Sequence, residues 1–115
     1  MANNERLTQY IREALTELPD VEEKKMFRGV TFMVNGKMCL TVASDEIMCR
    51  IDPAVHEEAI TKNGCSTVIM KGRPYIGYVH VKEEVLRTRK EFDYWIGLAL
   101  AFNAQAKSSK KKKPN

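Results

Sequence analysis

Cysteine and histidine are the side chains of this 115-residue chain most suited to nucleophilic, acid-base or metal chemistry. The chain has three cysteines, Cys39, Cys49 and Cys65, and no two of them form a C-x-x-C pair. His56 and His80 lie in separate segments, without a nucleophile or further ligands at the spacing of a catalytic pair or zinc site. The sequence therefore predicts no catalytic residue, no metal and no cofactor, and we expect a protein that is not an enzyme.

The cysteine count and the N-terminal segment bear on the compartment. An odd number of cysteines cannot pair completely, and the opening segment MANNERLTQY is too polar for a secretory signal. No apolar run approaches the roughly 20 residues that a membrane-crossing helix needs. We therefore expect reduced thiols, a cytoplasmic location and no membrane association.

The net charge of +4 is concentrated at the C-terminal end. All fifteen acidic residues and fourteen of the basic residues precede residue 106, so this part of the chain, the body, carries a net charge of −1. The remaining basic residues form a polycationic tail: Lys107, Lys110, Lys111, Lys112 and Lys113. A near-neutral body argues against a nucleic-acid groove, whereas a lysine tail can tether nucleic acid non-specifically and in a salt-sensitive way.

Apolar spacing predicts an amphipathic helix at the start of the chain. Its stripe consists of Leu7, Tyr10, Ile11, Ala14, Leu15 and Leu18. Asn3 or Asn4 is a suitable N-cap, and Pro19 marks the end of the helix. Residues 20–25 (DVEEKK) are polar and are predicted to be a connector.

An Asn-Gly pair at 35–36, between two apolar runs, predicts a two-residue β-hairpin turn. An uninterrupted register would place Val34 opposite Lys37, Phe32 opposite Cys39 and Thr31 opposite Leu40. A second turn, at Ser44-Asp45, would add a third strand. Directly opposed residues share a face of the sheet, so this register predicts which side chains lie together.

The two predicted faces differ in polarity. The first is nearly all apolar and is predicted to be the core: Thr31, Met33, Met38, Leu40, Val42, Ile47, Cys49 and Ile51. The second is mixed, and its apolar members are predicted to form a homodimer or partner interface: Val30, Phe32, Val34, Cys39 and Met48. An exposed patch of this kind usually marks interaction. The alternative is that a helix or loop of the same chain covers this face.

The second half of the chain carries two sets of helix-end signals. Asp52-Pro53 is an N-cap followed by a first-turn proline, and Asn63-Gly64 is suited to ending the same helix. Residues 66–70 and 75–81 are predicted to be strands. The spacing Thr88-x-x-Glu91 is a capping box before a last helix with a wide apolar face.

These elements predict an α+β fold with the order α-β-β-β-α-β-β-α. Short turns favour antiparallel pairing, so we expect two layers: a five-stranded antiparallel sheet with helices mainly on one face. Residues 1–106 are predicted to form one domain. Residues 107–115, rich in lysine and serine, are predicted to be disordered.

Four segments resemble the N-terminal domain of the TfoX/Sxy competence regulators. They are MFRGVTFMVNGKMCLTV at 26–42, IMCRID at 47–52, KGRPYIGYVHV at 71–81 and YWIGLALAF at 94–102. The likeness covers roughly residues 20–103, and the spacing of the four segments is more specific than any one of them.

The resemblance implies the same element order and a regulatory association rather than catalysis. Full-length members of this family are co-regulators of natural-competence genes and carry a separate C-terminal helical domain, so this chain resembles a stand-alone N-terminal domain. We therefore expect a small, non-catalytic regulatory protein that acts by protein-protein association, as a homodimer or with another regulatory protein. The alternative is an accessory factor tethered to nucleic acid by the lysine tail.

Overall fold

Three α-helices and six β-strands make up residues 5–26 and 29–105, the part of the chain that this computed structural model describes. The helices are α1 (Glu5–Ala14), α2 (His56–Ala59) and α3 (Arg89–Asn103). The strands are β1 (Val21–Met26), β2 (Gly29–Val34), β3 (Lys37–Val42), β4 (Glu46–Arg50), β5 (Cys65–Met70) and β6 (Arg73–Lys82). Short 3-10 turns occupy Pro53–Val55 and Glu83–Leu86. The strands form one sheet in the order β1-β2-β3-β4-β6-β5, with every neighbouring pair antiparallel, which confirms the predicted α+β class.

The first strand corrects the sequence prediction, because residues 20–25 do not form a simple connector. Val21–Met26 pairs along its whole length with β2, so the sheet has six strands rather than five. The four residues from Glu22 to Lys25 are charged and exposed. An edge strand needs neither an apolar run nor strict alternation, and exposed charges discourage further pairing at an edge. The polar composition of residues 20–25, which predicts a connector, is therefore equally typical of an edge strand protected against further pairing.

The Asn-Gly turn at 35–36 is present, but the predicted register holds only beside it. Both turn residues have positive φ, 56° and 77°, as a type I′ turn requires. The first two pairs after the turn are as predicted. The register then shifts, and Phe32 lies opposite Leu40 rather than Cys39. The predicted pairing is wrong from this point because a β-bulge inserts Cys39 as one extra residue.

The bulge changes which side chains form the core. Phe32, Val34 and Cys39, which were assigned to the second face, lie in the main hydrophobic cluster beside Leu40 and residues of all three helices. The cluster is formed by Leu7, Ile11, Leu15, Phe32, Val34, Cys39, Leu40, Val42, Ile47, Cys49, Ile51, Ala59, Val79, Val81, Leu86, Phe92, Trp95, Ile96 and Ala99. The predicted division into core face and interface face is therefore wrong in the first hairpin. A one-residue insertion moves every following side chain relative to its neighbours.

A second, smaller cluster contains no helix residue among the described part of the chain. Its buried members are Met33, Met38, Met48 and Val68, and Met70 and Tyr78 pack against it. Unbranched methionine side chains adapt to irregular gaps, which suits a cluster made between strands. The sheet therefore carries buried apolar side chains in two separate groups, and the helices cover only one of them.

Both predicted N-caps form, but the predicted helix end at Asn63-Gly64 is wrong, because α2 already ends at Ala59 with Ile60 as its C-cap. The Asp52 carboxylate accepts a hydrogen bond from the Ala54 N–H at 2.9 Å, and the Thr88 hydroxyl accepts one from the Glu91 N–H at 3.2 Å. Asn3 and Asn4, the predicted caps of the first helix, lie outside the described residues, as does the tail at 107–115.

The C-terminal end of α3 is fastened to the first hairpin through Asn103, which is buried. Its amide nitrogen donates to the Val34 carbonyl at 3.1 Å, and its backbone carbonyl accepts from the Lys37 ammonium at 3.0 Å. These bonds hold α3 across the strands that it covers. No helix of the described residues is both long and apolar enough to cross a membrane.

Candidate interaction surface

The β5–β6 hairpin carries most of the large apolar side chains that are exposed among the described residues. Three of the five large apolar side chains that are exposed lie on it: Ile69, Tyr75 and Ile76, with 58%, 41% and 51% of their surface accessible. The turn that joins the strands is basic, since Lys71 and Arg73 are both exposed. We call these five residues the hairpin surface. Exposed apolar side chains concentrated in one structural element are characteristic of binding surfaces.

A large irregularity in β6 separates the hairpin surface from the rest of the sheet. Thr67 lies opposite Val79, whereas the next residue of β5, Val68, lies opposite Tyr75. Three residues of β6, from Ile76 to Tyr78, are therefore extra relative to β5. Since β4 pairs only with the segment from Tyr78 to Lys82, the outer part of the hairpin, residues 68–75, extends beyond β4.

Gly77 allows this irregularity because its backbone adopts a φ of 99°. This conformation is strained for a residue with a side chain. The N–H of Ile51 donates to the Gly77 carbonyl at 2.8 Å, which joins the irregular segment to the end of β4. A side-chain carbon at position 77 would also lie 3.3 Å from the Ile51 carbonyl oxygen. The backbone angle therefore calls for glycine, and the close approach of Ile51 also favours a residue without a side chain.

His56 of α2 stabilises the irregular segment through hydrogen bonds. The side chain is 1% exposed, and its Nδ1 accepts a hydrogen bond from the Gly77 N–H at 2.8 Å. Because Nδ1 accepts, the ring proton lies on Nε2, which donates to the Thr67 hydroxyl at 2.8 Å. His56 thus links α2 to both strands of the hairpin, a structural role that explains a buried histidine without a ligand.

Aromatic contacts extend the hairpin surface toward α3. The rings of Tyr75 and Tyr78 meet edge to face with 6.0 Å between centroids. The guanidinium of Arg50 lies 5.7 Å from the ring centroid of Tyr78 and 5.7 Å from that of Phe102. Such cation-π contacts orient the rings. Tyr75 is therefore supported by Tyr78, which in turn packs against Arg50.

The residues that the sequence analysis assigned to an interface lie within the chain's own packing. Phe32, Val34 and Cys39 are 0%, 3% and 1% exposed in the main cluster, and Met48 is buried in the methionine cluster. Val30 is half-buried. The predicted nucleic-acid residues, Lys107, Lys110, Lys111, Lys112 and Lys113, lie outside the described residues.

Sequence reasoning placed residues 75–81 in a strand but did not identify the hairpin surface. A signal was present in the consecutive apolar pair Tyr75-Ile76. A regular strand sends successive side chains to opposite faces, so an adjacent apolar pair followed by Gly77 suggests an irregular strand with one apolar side chain turned to solvent.

The thiols of the described residues are poor nucleophiles. Burial raises the pKa of Cys39 to about 12 and that of Cys65 to about 11, and it also raises the pKa of Cys49 well above the ordinary value of 9.0. A thiol reacts through its thiolate, so all three are protonated and weakly reactive near neutral pH. The Nδ1 atom of His80 lies 3.1 Å from the Oε2 atom of Glu46. No group of three or more His, Cys, Asp or Glu side chains in residues 5–26 and 29–105 could hold a metal ion.

Comparison with known proteins gives one assignment. The family model for the TfoX N-terminal domain matches residues 13–103. The match begins near the end of α1 and ends at the last residue of α3, so it includes all six strands. Comparison with curated proteins and with solved structures gave no significant match. The chain belongs to the TfoX N-terminal domain family.

Proposed function

We propose that this protein is a small regulatory protein that acts by binding another protein chain and not by catalysis. Membership of the TfoX N-terminal domain family supports a regulatory or competence-related role. The observation that carries the proposal is the hairpin surface: Ile69, Tyr75 and Ile76 are all exposed on one hairpin whose turn is basic.

The energetics favour a partner that covers the whole hairpin surface. Fully burying a large apolar side chain is worth about 1.5–3 kcal/mol, and each of the three is already partly buried, so together they contribute about 3 kcal/mol. Association costs at least about 4 kcal/mol in lost freedom of motion. Additional contacts, such as backbone hydrogen bonds or pairing of Lys71 and Arg73 with acidic groups, are needed for stable binding.

The test is affinity capture with the full chain and two surface variants. The first variant combines Tyr75→Ser with Ile76→Ser, and the second, Tyr10→Ser, removes an aromatic ring that is 48% exposed at a distant site on α1. We expect a stoichiometric protein partner, identified by mass spectrometry and rebound in purified form, to be retained by wild type and by Tyr10→Ser. The hairpin variant should lose it while keeping a wild-type circular dichroism spectrum. Equal capture by all three proteins would contradict the proposal.

The lysine tail supports a second candidate function, that of an accessory factor tethered to nucleic acid. Five lysines lie in residues 107–113, beyond a body whose net charge is −1. Tethering of this kind depends on release of counterions and is blind to sequence. Fluorescence anisotropy with duplex DNA should show affinity falling steeply with salt, with a log-log slope of up to about −4.5 for five phosphate contacts. Deletion of residues 107–115 should abolish binding, and equal binding by the truncated chain would exclude this role for the tail.

A further inference from the structure

The two edges of the sheet differ in their protection against further strand pairing. The β1 edge carries four consecutive exposed charges, from Glu22 to Lys25. The β5 edge, Cys65–Met70 (CSTVIM), contains no charged residue and no proline, and Ile69 is the most exposed large apolar residue of the described chain. Natural proteins usually protect a strand edge with charges, proline or a covering element. The β5 edge has the composition of a strand that pairs.

Alternate backbone N–H and C=O groups of β5 point away from β6, toward the position that an additional strand would occupy. The N–H of Lys82 donates to the Gly64 carbonyl at 3.0 Å, just before β5 begins. Hydrogen-bonded and non-hydrogen-bonded positions alternate in an antiparallel pair, so Thr67 directs its N–H and C=O away from β6. Ile69 lies opposite Pro74, which has no N–H, and this marks Ile69 as another outward-directed position. Two successive outward positions therefore present donors and acceptors at the open edge.

We propose that β5 pairs antiparallel with β5 of a second copy of this chain, about a two-fold axis near Thr67, so that two six-stranded sheets join edge to edge. The inference rests on the proposed function and names a second copy as the partner. In this register Ile69 of one copy lies beside Cys65 of the other, which is half-buried. Backbone hydrogen bonds across the edge supply the contacts that the hairpin surface alone lacks.

Charge and symmetry favour this arrangement over other pairings of the same chain. Antiparallel pairing places the basic turns, which contain Lys71 and Arg73, at opposite ends of the interface. Parallel pairing would bring the two basic turns together and would be opposed by their repulsion. Pairing of β5 with β1 of the next copy would be head to tail, and such contacts extend into open assemblies unless they close into a ring. An uncharged strand paired with itself forms a closed dimer.

The test compares a lysine substitution at the β5 edge with one at a distant exposed site. Ile69 on β5 and Tyr10 on α1 are both large exposed apolar side chains, 58% and 48% accessible, but only Ile69 lies at the edge of the sheet. Sedimentation equilibrium of the full chain should show a dimer whose dissociation constant rises about 100-fold in Ile69→Lys. The expected increase of about 100-fold is the product of about tenfold for each of the two symmetry-related isoleucines. Tyr10→Lys, the control, should change the dissociation constant by less than about threefold.

A second variant removes only the edge donor. Ile69→Pro deletes an N–H that makes no bond to β6 in the proposed geometry, and proline is tolerated in an edge strand at such a position. It should also dissociate the dimer while preserving the circular dichroism spectrum. Amide hydrogen exchange of residues 65–70 in wild type should slow as protein concentration rises.

Three results would overturn the inference. They are a wild-type monomer at every concentration, a dimer unaffected by both Ile69 variants, and a dimer weakened equally by Ile69→Lys and Tyr10→Lys. A monomer that still loses a captured partner when Tyr75 and Ile76 are substituted would overturn edge pairing alone and leave the proposed function standing. A monomer that captures no partner would overturn both.

Discussion

Replacement of His56 by alanine tests the link between α2 and the hairpin. The side chain is 1% exposed and makes two hydrogen bonds of 2.8 Å, one from the Gly77 N–H and one to the Thr67 hydroxyl. Each bond contributes about 1 kcal/mol to the free energy of unfolding. The buried N–H of Gly77 would lose its partner, at a cost of about 1–3 kcal/mol, and the missing ring would leave a cavity. We expect His56→Ala to lower the free energy of unfolding by about 3–5 kcal/mol.

Urea unfolding followed by the fluorescence of Trp95, which is fully buried, measures this loss. Glu57→Ala is the matched control, since Glu57 is the exposed neighbour in the same short helix and its loss should cost less than about 0.5 kcal/mol. Thr67→Val should cost about 1 kcal/mol in wild type and markedly less in His56→Ala, because the bond that it removes is already absent. A loss below about 1 kcal/mol in His56→Ala, or full additivity with Thr67→Val, would refute the proposed role of the histidine.

Three further predictions concern the core, the thiols and an ion pair. Phe32→Asp should unfold the chain rather than yield a folded monomer, because Phe32 is 0% exposed and an uncompensated buried charge is costly; a folded variant by circular dichroism would contradict the core assignment. Since the pKa of Cys39 is raised to about 12 and that of Cys65 to about 11, thiol labelling should be slow near neutral pH and rise sharply in urea. These raised values also predict that stability is lost as pH rises above the ordinary thiol pKa of 9.0, and a flat urea midpoint between about pH 8 and 11 would contradict this. A hydrogen bond from Arg12 lowers the pKa of Glu23, so the contribution of this pair to stability is present above about pH 4.5 and is lost as pH falls through the lowered value; Arg12→Met should therefore lower stability slightly at neutral pH and not measurably near pH 2, and an equal loss at both would exclude the ion pair as its cause.

Several local features of this fold could be predicted from the sequence. The Asn-Gly turn at 35–36, the Asp52 cap and the Thr88 cap all occur where the sequence predicts them. Each of these depends on a few neighbouring residues, whose side-chain geometry and permitted backbone angles are properties of the local chain. The α+β class followed from the same local signals, because strands joined by short turns pair antiparallel.

The core face of the first hairpin and the hairpin surface were not predicted, because each depends on an irregularity that strand periodicity does not reveal. One bulge places Cys39 in the core and reverses the predicted faces of the first hairpin. The other adds three residues of β6 around Gly77 and extends the β5–β6 hairpin beyond β4. The second irregularity is held by contacts between segments that are distant in the sequence, since the Gly77 N–H donates to His56 and His56 donates to the Thr67 hydroxyl.

The role of β1 shows the same division between local and tertiary information. Its charged residues exclude a buried position, and this much is a property of the sequence. Whether a polar segment becomes a loop or an edge strand depends on whether a neighbouring strand leaves its hydrogen-bonding groups free, and here β2 does so. Local chemistry therefore determined the turns, the N-caps and the exposure of the charged residues of β1. Only the tertiary structure determined the strand pairing, the face that became the core and the apolar residues left at the surface, because backbone hydrogen bonds between distant segments set the register.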